Sequence, residues 1–99
     1  MKIFVDGNKV IIRAPEIFGF DLRNEFREAV RAYPVGTPYD VDLQKVVKLD
    51  SSALGMLLLL REHASGANST VPNVILKGAR PEILKLLRLV NFQELFAFV

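Results

Sequence analysis

The sequence predicts one α/β domain built on a mixed sheet, with helices packed mainly on one face. Three observations carry that prediction. The chain opens with a strand–turn–strand pattern. Strand-like and helix-like segments then alternate, an order that implies right-handed crossovers and parallel pairing. Between Tyr39 and Gln44 apolar and polar residues alternate, the mark of a strand with one wet face. The 99 residues leave room for a single domain, 1–99, since domains ordinarily run about 100–150 residues. With 51% hydrophobic and 24% charged residues, disorder is excluded. A chain of this size buries only somewhat over ~60% of its unfolded surface, so nearly every apolar stretch has to serve one core.

The elements follow in the order β-β-α-β-α-β-α-β. Lys2 to Val5 and Lys9 to Arg13 are rich in Ile, Val and Phe, and Asp6-Gly7-Asn8 between them tolerates the positive φ of a tight turn. Ala14-Pro15 ends the second strand, because proline removes a donor and restricts its predecessor. Phe20 to Tyr33 reads as a helix: Leu22, Phe26, Ala29, Val30 and Tyr33 form one apolar stripe. Asp21 is placed to cap it, and Pro34 and Gly36 stop it. The strand Tyr39 to Gln44 comes next. Asp50-Ser51-Ser52 opens a second helix through about Ala64, Ser65 to Ser69 forms a loop, and Asn73 to Lys77 reads as a buried strand. Pro81 suits the first position of a third helix. That helix runs to about Val90, with Ile83, Leu86, Leu87 and Val90 inward. Asn91 takes a left-handed turn, and Leu95 to Val99 closes the chain as a short strand or helical tail.

Most chemistry is excluded by what the composition lacks. Cysteine is absent and His63 is the single histidine, so thiolate chemistry, disulfides and a histidine-rich metal site are out. None of the motifs G-x-x-x-x-G-K-[ST], G-x-G-x-x-G or G-x-S-x-G occurs. The expectation is a non-enzyme with no catalytic residue, no cofactor and no metal. His63 reads as a helix-end histidine without a triad. Asp40 and Asp42 share one strand face; a solvated face is the weightier reading over a cation site. Arg23, Arg27 and Arg31 form a ridge at four-residue spacing that can meet phosphates. The weightier reading is a solvated face partly balanced by Glu25 and Glu28.

Charge and hydropathy point the same way. The net charge of +2 is small and mixed along the chain, despite a pI near 9.2, which argues against direct nucleic-acid binding. The longest uncharged apolar stretch, Ser51 to Leu60, falls short of the ~20 residues of a membrane span. Ile3-Phe4-Val5 is too short for the apolar core of a signal segment. A cytoplasmic protein is expected.

The informative segment is Leu49-Asp50-Ser51-Ser52-Ala53-Leu54-Gly55. Its residues suit a helix N-terminus, where side-chain oxygens accept bonds from free N–H groups and negative charge is favoured. The segment resembles the D-S-[ST]-G-L-G signature of STAS domains, specifically the bacterial anti-sigma factor antagonists. The order of elements agrees, as does Leu86-Leu87-Arg88-Leu89-Val90-Asn91-Phe92 before a closing Leu95-Phe96. The resemblance covers essentially the whole chain. It departs from the family pattern at Ala53, which replaces a glycine and favours the helix by about 1 kcal/mol, and at Asn91, which replaces a late glycine.

The resemblance implies partner switching. The unphosphorylated form binds an anti-sigma factor that is also a serine kinase, phosphorylation on Ser51 releases it, and a serine phosphatase resets the system. Ser52 is then mainly a helix cap, and the free protein a monomer. An alternative within the resemblance is a non-switching STAS-like subunit of a lipid-transport ATPase complex.

Stepping 100° per residue from a buried Leu57 puts Ala53, Leu54, Leu60 and Ala64 on the core side, within about 60°. Arg61 falls there too, which requires its charged head to snorkel out. Gly55, Leu59 and Glu62 fall opposite, with Ser52, Met56 and His63 toward one flank. Leu59, and partly Met56, are therefore expected at the surface. Asp50, Ser51, Ser52, Gly55, Met56 and Leu59 make up the expected partner-binding surface.

Overall fold

The computed structural model describes residues 1–65 and 73–99. A five-stranded sheet has the order β1-β2-β4-β6-β7, from β1 (Lys2–Asp6), β2 (Lys9–Arg13), β4 (Tyr39–Asp42), β6 (Val74–Lys77) and β7 (Ala97–Phe98). β1 and β2 are antiparallel, and every other neighbouring pair is parallel. The hairpin closes through Gly7-Asn8, with Asp6 paired to Lys9 and Gly7 at φ +63°, a backbone region that costs glycine nothing. Helices α1 (Arg23–Arg31), α2 (Ser51–Ser65) and α3 (Pro81–Leu89) fill the connections.

The register sorts the sheet into two faces. Val10, Tyr39 and Val74 align across three strands, as do Ile12, Val41 and Leu76, and all six are buried. This face joins one core with Phe26 and Val30 of α1, Ala53, Leu57, Leu60 and Ala64 of α2, and Ile83 and Leu87 of α3. The opposite face carries Phe4, Ile11, Asp40 and Ile75 in one row, with Arg13, Asp42 and Lys77 in another. Apart from Asp40, none of these is buried. The mixed sheet with its helices on one side is the expected architecture.

Several details depart from expectation. Two further strands, β3 (Ile17–Phe18) and β5 (Lys48–Leu49), pair in parallel as a separate small sheet. The first helix starts as a 3₁₀ turn, Phe20–Leu22, and Asp21 makes no capping bond. Val90 lies beyond α3 and is exposed rather than inward. Pro81 does occupy the start of α3, and Asn91 does take the left-handed conformation, at φ 62°. Of the loop expected at Ser65–Ser69, Ser65 ends α2 and the rest lies outside the described residues.

Asp40 corrects the expectation of a solvated strand face. Its side chain is 1% exposed, roofed by Lys9 at 3.0 Å and Lys77 at 3.1 Å from Oδ2. Those two ammonium groups remain partly exposed. Burial pushes the Asp40 carboxyl up, but the two lysines outweigh it and hold the group below the usual carboxylate range. Asp42, by contrast, is only partly covered and lies 3.5 Å from the Arg13 guanidinium.

Candidate functional site

The start of α2 is organised by Asp50. Its Oδ1 accepts the Ala53 N–H at 3.0 Å, and its backbone carbonyl accepts the Leu54 N–H. Its Oδ2 accepts the Phe20 N–H at 3.1 Å. One carboxylate therefore caps α2 and satisfies the first turn before α1, the role sequence reasoning gave to Asp21. These backbone donors, chiefly Ala53 and then Phe20, hold the Asp50 carboxyl below its ordinary range. Ser52 was expected to act mainly as a helix cap, but the side chain that caps α2 is that of Asp50, and Ser52 is half-buried at the second position of the helix.

Ser51, the first residue of α2, is exposed. The small sheet that sequence reasoning missed borders it. Glu16 O accepts the N–H groups of Val47 and Lys48, and Phe18 O accepts that of Asp50. This pairing brings exposed Ile17 and Val47 to the same end of the fold as Ser51, along with exposed Phe20. Two-residue strands carry no readable periodicity; the only sequence signal was the apolar pairs Ile17-Phe18 and Val46-Val47.

Along α2 the expected surface divides. Gly55 is exposed, and Leu59 is 61% exposed. Met56 is only 5% exposed, which overturns its place in the exposed patch. The reason is α1, which packs beside α2 and covers the flank on which Met56 lies. Met56, Phe26, Val30 and Leu60 line a cleft of about 280 Å³ between the two helices. Arg23, Arg27 and Arg31 edge it from α1, and Leu59 and His63 from α2. His63 Nε2 donates to Tyr33 O at 2.8 Å, tying the helix ends together. Arg61, the misfit of the helical wheel, turns its head outward and donates from Nε to Leu95 O at 3.2 Å.

Among the described residues, no cluster of three or more metal-ligating side chains occurs, and no helix is long and apolar enough to cross a membrane. The site therefore offers an exposed hydroxyl at a helix N-terminus, apolar neighbours and an arginine-edged cleft. A family model described as "Mlab, STAS domain" matches residues 6–97. A STAS-domain containing protein of Pseudomonas aeruginosa (strain UCBPP-PA14) is 43% identical over 93 residues, covering 92% of this chain and 88% of that protein.

Proposed function

The chain belongs to the STAS domain family, and from that premise we propose that it is a non-catalytic partner-switching module, an anti-sigma factor antagonist controlled by phosphorylation of Ser51. The observation that carries the reading is the exposure of Ser51 directly after the Asp50 clasp, among exposed Ile17, Phe20 and Val47. The unmodified surface binds an anti-sigma factor with serine kinase activity. Phosphate adds about −1.5 to −2 charge. At the start of α2 that charge is tolerated by the helix, by roughly 0.3–1 kcal/mol in its favour. The fold therefore persists, and release comes from lost complementarity at the docking surface. A serine phosphatase restores the binding form.

Incubation with candidate serine kinases and ATP, read by intact mass and peptide mapping, tests the assignment. One phosphate on Ser51, none on Ser51→Ala, and loss of kinase binding by Ser51→Glu support it. Full phosphorylation of Ser51→Ala sinks it.

The "Mlab" description of the matched family favours a second reading. In it the same α2 surface is a permanent contact within a lipid-transport ATPase complex, and Ser51→Glu disrupts assembly without any kinase acting on the protein. Co-purification with a transporter ATPase, insensitive to phosphatase treatment, identifies that case.

A further inference from the structure

The cleft between α1 and α2 has features that a switch on Ser51 does not require. Its shallow floor is apolar, from the largely buried side chains of Phe26, Val30, Met56 and Leu60, and Leu59 stands 61% exposed on its α2 edge. Its α1 edge carries Arg23, Arg27 and Arg31. We propose that this cleft receives an acidic amphipathic helix of a protein partner, apolar side down, with carboxylates spaced four residues apart against Arg23, Arg27 and Arg31. The inference takes from the preceding reading only that the domain docks proteins.

Charge and spacing select the occupant. Among the described residues, no carboxylate lies within 4 Å of Arg27 or Arg31, so neither arginine is held in an ion pair with Glu25 or Glu28. Glu25 instead meets the Met1 ammonium at 4.0 Å. Arg23 lies 3.8 Å over the Phe20 ring and donates to Phe20 O at 3.3 Å, which fixes one end of the ridge in place. From Arg23 to Arg31 the ridge is about 12 Å long at 1.5 Å per residue. A second helix running alongside presents residues i, i+4 and i+8 at the same interval, with apolar side chains one turn-face away. A polyanion such as RNA satisfies the arginines but has no use for the exposed Leu59 beside them.

The test uses the full chain, ¹⁵N-labelled, and a synthetic helical peptide of ~15 residues with glutamate at every fourth position beside a leucine stripe. A matched peptide carries lysine in place of each glutamate. The glutamate peptide is expected to bind with a Kd below about 1 mM and to shift amide resonances along α1 and α2. Arg27→Glu with Arg31→Glu is expected to weaken it about tenfold or more and to make the lysine peptide the better ligand. Leu59→Asp is expected to weaken it as well. Both variants change exposed positions, and unaltered melting temperatures confirm that they fold. The proposal is overturned if the glutamate peptide does not bind, or if the lysine peptide binds the unmodified protein as well. Resonance shifts confined to another surface overturn it too. So does tighter binding, through the same arginines, of an RNA oligomer or of phosphatidylglycerol vesicles. None of these outcomes depends on Ser51, so the failure of the cleft and the failure of the switch are separately visible.

Discussion

The Asp50 carboxylate occupies the space that a side chain on Gly19 would need. A Cβ built on Gly19 lies 2.5 Å from Asp50 Oδ2 and 2.9 Å from its Cγ. That oxygen accepts the Phe20 N–H, and its twin accepts the Ala53 N–H. Gly19 is buried in extended backbone at φ −163°, so space, not backbone conformation, demands glycine here. The family motif and a glycine thirty-one residues upstream of it form one unit.

Gly19→Ala is expected to displace the carboxylate, break one or both bonds and cost about 1–3 kcal/mol, as overpacking ordinarily does. Asp50→Ala is expected to lower the melting temperature as well, because it frees donors at two helix starts. The double variant should lose less than the sum, since both changes break the same contact. Thermal melts of the four proteins decide this; full additivity would show that the two residues act independently.

Acid should weaken the fold through two carboxylates. Asp50 and Asp40 are both held below their ordinary range in the folded state. Each is ionised in both states at neutral pH, and its contribution is complete above the unfolded value near ~4. As pH falls through that value toward the lower folded one, the unfolded chain takes up protons first and stability is lost. The melting temperature is therefore expected to be level from about pH 7 to pH 5 and to fall below about pH 4. Asp50→Asn should flatten part of that decline, and an unchanged slope would remove Asp50 from the explanation.

Met56 and Leu59 of α2, three residues apart, provide a control for the docking surface. Met56→Ala removes buried volume and is expected to cost about 2 kcal/mol or more. Leu59→Ala, at an exposed position, should stay within about 0.5 kcal/mol. Leu59→Asp should abolish partner binding at a nearly unchanged melting temperature. If Leu59→Asp unfolds the domain, Leu59 is a core residue and the surface assigned to it does not exist.

The order of elements was legible because each long element carries its own signal. Hairpin residues, the α1 stripe, Pro81 and Asn91 all act through local backbone geometry. What escaped depends on contacts between distant segments. The bond from Phe20 to Asp50 spans thirty positions, and no local pattern separates it from a cap by Asp21. Met56 lies on the flank of its helical wheel, and whether a flank is buried depends on where α1 packs. The alternation at Tyr39–Gln44 correctly put Asp40 on the open face. It could not show that lysines from two neighbouring strands meet above it. At the start of α2, Asp50 and Ser51 were readable as cap and exposed hydroxyl, whereas Ile17 and Val47 join that surface only through the small sheet.

The Lys9–Asp40–Lys77 cluster yields an unequal pair of outcomes. Asp40 lies in a row between Ile11 and Ile75, on the face opposite the helices. Asp40→Val removes the buried charge, suits a strand between two isoleucines and leaves two lysines, 35% and 46% exposed, that water can solvate. Its stability is expected to stay within about 1 kcal/mol of the parent protein. Lys9→Met with Lys77→Met does the reverse, leaving the carboxylate buried without a cation. It is expected to cost about 2 kcal/mol or more at neutral pH, a figure reduced from that of fully buried pairs because the lysines are half in water. With the ammonium groups gone, burial alone acts on Asp40 and raises its folded pKa above the unfolded one. The folded state then binds more protons between those two values, so stability falls as pH rises through them. Over the stretch above about pH 4, the double-methionine protein should therefore lose stability with rising pH where the parent protein holds level. Parallel curves for the two proteins, or a severe loss in Asp40→Val, would show that the lysines are not what keeps Asp40 charged.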